Sequence, residues 1–545
     1  MEANPSQLIE FFNGDKQAVI PLFQRPYEWD CRNWEVLWRD VLDRHESTKD
    51  ASHFTGAIVT MPAKSVPVGV SKWTIIDGQQ RLTTFAILLA AVRDELPPGA
   101  IERTRISRFL LNETYDGWDY LKLLPTQDDR GAFKALCTGT EAPAGSRFRA
   151  AYEYFQNQIR GGNSDGEPID PKALLETLRT RFVVVNINLG ESDDPYLIFE
   201  SLNYKGTPLS QADLVRNYLL MRLPVDRQSV AFDSQWKPMQ DRLGDSLTEF
   251  LRQYLMRTGD EVSRAEVYAT LKDRLHGKDV EIEMGEMNRF SVYFLAFIAP
   301  AHETHSLTSR GLARLDRWEL TTAHPLMLRI FDARANGLMT VDDVQKCLRI
   351  IESFVVRRYV CEVPTNQMKR IFLERAKTFP ASDIATWLEG ALSKGTKGGR
   401  WPANDEFNQQ WVVFRAYNRI DRCKLILEEI EASYGHKEPV YVGASTIEHI
   451  MPQTLSAVWQ GVCGPDLHQQ WLDTIGNLTL TGYNPELSND GFEEKKKLLA
   501  ESHFELNKYF GGVEQWNPAQ IESRAKALLT KARDIWPRPV EPGGV

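Results

Sequence analysis

The residues best suited to chemistry lie near the end of the chain. Thr446-Ile447-Glu448-His449-Ile450-Met451-Pro452-Gln453 is followed by Ile475-Gly476-Asn477-Leu478-Thr479-Leu480, then Asn484, then Leu487-Ser488-Asn489 with Phe492 and Lys495-Lys496-Lys497. Hydrolysis of a phosphodiester needs an activated water and neutralisation of charge at the phosphate. One imidazole, one divalent cation and a few hard oxygen ligands provide both. His449 offers the imidazole, Glu448 a carboxylate beside it, and Asn484 an amide oxygen further along. Oxygen ligands suit Mg²⁺ or Mn²⁺ better than zinc. The plainer alternative is a structural histidine, with the asparagines serving as turn residues.

A second constellation lies near the start. Ile20-Pro21-Leu22-Phe23-Gln24-Arg25-Pro26-Tyr27-Glu28-Trp29 is followed by Trp73-Thr74-Ile75-Ile76-Asp77-Gly78-Gln79-Gln80-Arg81. Trp73–Ile76 suits a buried strand, Asp77-Gly78 is turn chemistry, and Leu82–Leu96 carries a strong helix pattern that stops at Pro97-Pro98-Gly99. The motif therefore sits at a strand-to-helix junction, where backbone N–H groups can hold an anion. Arg25 and Arg81 can neutralise phosphate oxygens by bidentate contact. Gly78 permits close backbone approach. Asp77 could hold a metal or orient a water, and Gln79 and Gln80 could bond phosphate or base edges. Asn203, Lys205 and Asp213 could complete such a pocket. No Gly-rich loop ending in Lys-Ser/Thr is present, so a nucleotide site here is of another type. The structural alternative is a plain turn at Asp77-Gly78 and a surface ion pair at Arg81. Tyr27 and Trp29 could sense a modified base by stacking; the alternative is that both pack in the core.

The elements that position these residues are legible in part. Trp34, Leu37, Trp38, Val41 and Leu42 recur at helical spacing, and Phe54–Thr60 and Arg181–Asn188 read as strands. Ser192-Asp193-Asp194-Pro195 predicts a helix start. Phe199-Glu200-Ser201-Leu202-Asn203 leads through Gly206 to Asp213-Leu214-Val215-Arg216-Asn217. From about 226 to 435 the pattern is mostly helical, with Lys394–Pro402 as the best linker candidate. After 440 it changes to short strand, loop and helix.

Composition sets the frame. The chain has 545 residues, 42% hydrophobic and 26% charged, which fits two to four globular domains. The net charge of −9 speaks against a uniformly basic nucleic-acid-binding surface but not against a local basic groove. The six cysteines are scattered without a CxxC, so neither a zinc knuckle nor a disulfide framework is expected. A reducing cytoplasm is the natural compartment. No basic region followed by an apolar stretch follows Met1, and the longest apolar runs, such as Phe85–Val92, are too short to span a bilayer. No membrane association is expected.

Together these motifs resemble the GmrSD-type modification-dependent restriction proteins. The resemblance rests on the two constellations above, the third motif from Phe199 to Asn217, and Arg357-Arg358-Tyr359 with Thr365-Asn366, and so covers most of the chain. It implies a multidomain α+β protein. Residues 1–225 would form a nucleotide-handling domain similar to ParB and sulfiredoxin folds, 226–400 a helical connection, 401–537 a ββα-metal nuclease of the His-Asn-His type, and 538–545 a disordered tail. His449 matches the general base, and Glu448 and Asn484 match metal-holding positions. Asn477 matches an asparagine that braces the strand–loop geometry. Asn489 is an alternative ligand, and Lys495 and Lys496 match a basic pair facing phosphate. The aspartate common before the histidine is glutamate here. The implied function is a divalent-metal-dependent endonuclease or nickase, regulated by ATP or GTP, that attacks modified phage DNA. Symmetric double-strand cutting by one such site would call for a homodimer. Two other classes fit the same residues: a nucleotide-dependent DNA-binding protein with a silent nuclease fold, and a toxin-like nuclease acting on RNA.

Overall fold

The computed structural model describes the chain apart from residues 1, 48–50, 64–68, 164, 191–192, 194–197, 199–209, 437–442, 483–488 and 540–545. Two compact units emerge, Met1–Lys237 with Leu271–Met284, and Pro238–Thr270 with Gly285–Val545. The mixed helix-and-strand, multidomain architecture expected from the sequence is what the chain adopts.

The first unit is built on a six-stranded mixed sheet. Its strands are β1 (Glu2–Gln7), β2 (Lys16–Val19), β3 (His53–Pro62), β4 (Ser71–Asp77), β5 (Leu123–Leu124) and β6 (Phe182–Asn188), in the order β1-β6-β3-β4-β2-β5. β6 runs parallel to β3, and β2 runs parallel to both β4 and β5; the other neighbours are antiparallel. The helix Gln79–Glu95 is buried along nearly its whole length, with Phe85 to Val92 sealed from solvent. An unbroken apolar run suits a helix enclosed on every side. Here the enclosing elements are Ile101–Leu110, Arg130–Thr138, Arg147–Gly161 and Pro171–Thr180. Ile75 of β4 enters this large core, and its neighbour Ile76 joins a smaller cluster with Val59 and Leu189. Such alternation is the strand signature expected of a sheet buried on both faces.

β4 leads into the enclosed helix through one residue. Gly78 has φ +96°, and a Cβ there would stand 2.9 Å from Ile58 Cγ1 and 3.3 Å from Ile58 Cα. Both the left-handed backbone and the close approach to β3 therefore require glycine. Of the third motif, Phe199–Asn203 and Gly206 lie outside the described residues, as do Ser192, Asp194 and Pro195 of the expected helix start. The motif's later part forms the helix Gln211–Met221, capped by Ser210.

The second unit is mainly helical. In the helix Val341–Val360, Arg357 and Arg358 point inward and are almost fully buried. Arg357 donates to the Trp536 carbonyl at 2.6 Å, and Arg358 to those of Arg400 and Pro364 at 2.8 Å each. Burial pulls both guanidinium pKa values down to about 10. These arginines hold backbone together. Lys394–Pro402, expected as a linker, is tied down by the Arg358 bond to Arg400 and by the buried Trp401. The unit also carries a two-stranded antiparallel sheet, β7 (Thr446–His449) with β8 (Leu478–Thr481), and the helices Phe492–Ala500 and Pro518–Ile535. Among the described residues no helix is long and apolar enough to cross a membrane.

Gly78→Ala is expected to cost about 1–3 kcal/mol of stability, from the positive φ and the Ile58 collision. Thermal or urea unfolding would read this as a clear loss, and an unchanged midpoint would remove the role assigned to Gly78.

Candidate functional site

β7 and β8 bring the C-terminal residues together. Their register pairs Glu448 with Thr479 and His449 with Leu478. Gly476, just before β8, lies so close to the helix Pro518–Ile535 that a Cβ would meet the Ile521 carbonyl oxygen at 2.2 Å. From that helix the fully buried Arg524 donates to the carbonyls of Gly476 at 2.9 Å and Leu478 at 2.6 Å.

Asn477 is sealed from solvent and uses both ends of its amide. Its Oδ1 accepts from Met451 N–H at 2.8 Å and from Trp516 Nε1 at 3.0 Å. Its Nδ2 donates to the carbonyls of Met451 at 2.9 Å and Leu472 at 2.8 Å. The residue thus joins the backbone just after His449 to the backbone just before Asp473.

His449 is buried, 6% exposed, with Nε2 3.4 Å from Asp473 Oδ1. The Tyr417 ring meets its imidazole edge-on, with centroids 4.3 Å apart. Burial pushes the His449 pKa down to about 4, against the opposing pull of Asp473, so the ring is neutral at pH 7. The other carboxylate oxygen of Asp473 accepts from Arg415 at 3.1 Å, and the Asp473 carbonyl accepts from Tyr417 N–H at 3.3 Å. Sequence reasoning missed Asp473, Tyr417 and Arg415. Asp473 had only its place two residues before Ile475-Gly476-Asn477 to draw attention, and Tyr417 and Arg415 had no local signal.

Glu448 is equally enclosed. Its Oε1 accepts from Lys495 Nζ at 2.5 Å, and the same ammonium donates to the His449 carbonyl at 2.8 Å. Burial raises the Glu448 pKa and lowers that of Lys495, while each partner opposes the shift in the other. No part of the Lys495 side chain is exposed. This differs from the solvent-facing position that a phosphate contact requires. Lys496 donates to the Val513 carbonyl at 2.8 Å. Asn489 is exposed, and Asn484 lies outside the described residues. Among the described residues, no group of three His, Cys, Asp or Glu side chains could hold a metal ion.

In the first unit the motifs also converge. Gln24 Nε2 donates to the Ile76 carbonyl at 2.8 Å. Gln80 donates to the Pro26 carbonyl at 3.0 Å and accepts from Glu28 N–H at 2.9 Å. Arg216, paired with Asp213 at 2.8 Å, donates to the Phe23 carbonyl at 3.1 Å. Tyr27 is buried, its hydroxyl 2.8 Å from both Thr84 Oγ1 and Trp34 Nε1. That is the core-packing alternative rather than an exposed stacking surface. Trp29 is partly buried against the same core. Gln24, Gln79 and Gln80 are all buried. Arg81 and Asp77 remain about a third exposed, 3.5 Å apart, with Arg81 also donating to the Thr55 carbonyl at 3.0 Å. Arg25 pairs with Glu28 at 2.9 Å. Asn203 and Lys205 lie outside the described residues.

Two family models match the chain. The N-terminal domain of GmrSD restriction endonuclease matches residues 8–220, and the C-terminal domain of GmrSD restriction endonucleases matches residues 401–531. The chain belongs to the GmrSD restriction endonuclease family. This is the family that the motifs resembled, and membership makes the chain a nuclease. No curated protein matches it. In GmrSD terms, the N-terminal match ends with the helix Gln211–Met221, and the C-terminal match encloses every residue around His449 described above.

Asn477→Ala is expected to act first on stability. It removes four buried hydrogen bonds and leaves their partners unpaired, which costs several kcal/mol. Unfolding should shift to clearly lower temperature or urea concentration. A variant as stable as the parent, and defective only in activity, would overturn the bracing role.

Proposed function

We propose that this chain is a divalent-metal-dependent DNA endonuclease of a phage restriction system, with His449 as the general base. The observation that carries the reading is the contact of His449 with Asp473, under the ring of Tyr417. With Nε2–H donated to Asp473, Nδ1 is left as the acceptor able to take a proton from the attacking water. Asp473 holds the imidazole in that tautomer, Arg415 braces Asp473, and Tyr417 packs edge-on against the ring.

The metal question turns on Glu448. Lys495 occupies one of its carboxylate oxygens and leaves the other. Mg²⁺ and Mn²⁺ take one or two carboxylates and keep several waters, so a hard cation would draw on the second oxygen of Glu448 and the amide oxygen of Asn484. When bound, such a cation neutralises phosphate charge and lowers the pKa of water.

The N-terminal domain is proposed to bind a nucleoside triphosphate, ATP or GTP, at Asp77-Gly78-Gln79-Gln80-Arg81. Arg81 and Asp77 are the partly exposed members that a ligand can reach, and the amides of Gln24 and Gln80 fix the loop carrying Arg25. Nucleotide occupancy would regulate cutting, and modified foreign DNA is the proposed target.

Plasmid and phage DNA, modified and unmodified, would be incubated with Mg²⁺ or EDTA, with and without ATP or GTP. Cleavage is expected with Mg²⁺ only. His449→Ala should lower it by roughly 10²–10⁴-fold in a folded protein. Arg81→Ala should weaken nucleotide binding while leaving the metal requirement unchanged. Near-full cleavage by His449→Ala would discard the base assignment, and cleavage of matched RNA in preference to DNA would discard the substrate.

A further inference from the structure

An exposed tryptophan in the first unit belongs to neither of the sites described above. Trp118 is 43% exposed. It sits in the loop that follows the helix Ile101–Leu110 and is closed by the antiparallel bridge between Leu111 and Leu121, just before β5. Single exposed aromatics are ordinary on a protein surface. This one differs in how it is held and in what surrounds it.

Two buried amides hold the loop. Gln17 Nε2 donates to the Trp118 carbonyl at 2.6 Å and to that of Leu121 at 2.8 Å. Asn112 Nδ2 donates to the Asp119 carbonyl at 3.1 Å and to that of Lys16, in β2, at 3.3 Å. The backbone carrying the indole is therefore fixed in advance, which spares a binding partner the cost of ordering it.

The surroundings of the ring are cationic. The helix Arg130–Thr138 brings the Arg130 guanidinium to 5.6 Å and the Lys134 ammonium to 5.5 Å from the ring centroid. Both distances are near the outer limit of a cation–π contact, and the indole keeps its exposure beside them. Arg130 spends one N–H on the Pro125 carbonyl at 3.2 Å. Neither cation is in an ion pair among the described residues. Burial lowers the Arg130 pKa, with no carboxylate opposing it. The adjoining carboxylates are engaged elsewhere: Asp119 with Lys72 at 2.8 Å, Asp128 with Lys237 at 3.4 Å, and Asp129 with the Tyr27 N–H at 2.8 Å. Two like charges four residues apart on one helix repel each other, and an anion bound between them would relieve that repulsion.

A partner for this face offers anions beside an open aromatic surface. A free phosphate uses the cations and leaves the ring idle. A paired duplex presents phosphates, but its bases are stacked on one another. An unpaired strand presents both, with phosphates for Arg130 and Lys134 and a base face for Trp118. We propose that Trp118, Arg130 and Lys134 form a contact surface for single-stranded DNA, sharing no residue with the His449 site or with Asp77–Arg81. The choice of DNA over RNA rests on the function proposed above; the stacking surface does not.

The test measures binding by the full chain in EDTA, so it is independent of whether His449 cuts DNA. Fluorescence anisotropy would follow labelled oligothymidylate of about 20 nucleotides, longer than a typical single-strand site, its duplex with oligoadenylate, and oligouridylate. Oligothymidylate should bind most tightly. Trp118→Ala should weaken that binding roughly tenfold, the loss of one stacked base, and Trp118→Phe should restore most of it. Arg130→Ala combined with Lys134→Ala should lessen the slope of log affinity against log salt by about 1.4, for two phosphates of a single strand. His449→Ala should leave affinity and slope as they are. Duplex bound as tightly as the single strand, oligouridylate bound in preference, no binding of oligothymidylate, or affinity and slope unmoved in the folded variants would overturn the proposal.

Discussion

The geometry around His449 depends on one amide. Asn477 bonds Met451 on one side and Leu472 on the other, so the strand carrying His449 and the loop carrying Asp473 are set by the same side chain. With no exposure to solvent and four partners, it has little freedom to settle elsewhere. Gly476 lets this junction press against the helix Pro518–Ile535, and Arg524 of that helix holds the carbonyls on either side of Asn477. The imidazole geometry is therefore inherited from a buried polar network rather than from the two short strands, which alone would be marginal.

The N-terminal domain uses amides in the same way. Gln24 and Gln80 lie in motifs that invite a ligand-binding reading, yet both spend their hydrogen bonds on backbone. Each therefore builds the loop, and of the charged residues in these motifs Asp77 and Arg81 stay partly exposed while Arg25 is paired with Glu28. A glutamine in a charged motif looks the same in sequence whether it touches a ligand or a carbonyl. Only the three-dimensional neighbours separate the two.

Much of the frame was legible in advance. The helix after Gly78 followed from its apolar pattern, though its enclosure on every side did not, and β3, β4 and β6 followed from their strand-like runs. β1 gave no signal, because Glu2–Gln7 is an almost fully exposed strand containing Pro5, formed by pairing with β6 rather than by burial. At the candidate site, His449, Glu448 and Asn477 stood out as neighbours in short motifs. Asp473 and Tyr417 did not, since their value lies in contacts across the fold. Lys495 misled for the opposite reason: beside Lys496 it read as half of a basic pair facing phosphate, but the helix Phe492–Ala500 turns it inward to Glu448.

The most direct measurement is a double-mutant cycle on DNA cleavage, using His449→Ala, Asp473→Asn and the two combined, each checked for folding. If Asp473 acts by orienting the His449 imidazole, Asp473→Asn lowers the rate in the parent but causes no further loss once His449 is gone. If the two losses instead multiply, Asp473 works independently of the imidazole and the central claim fails.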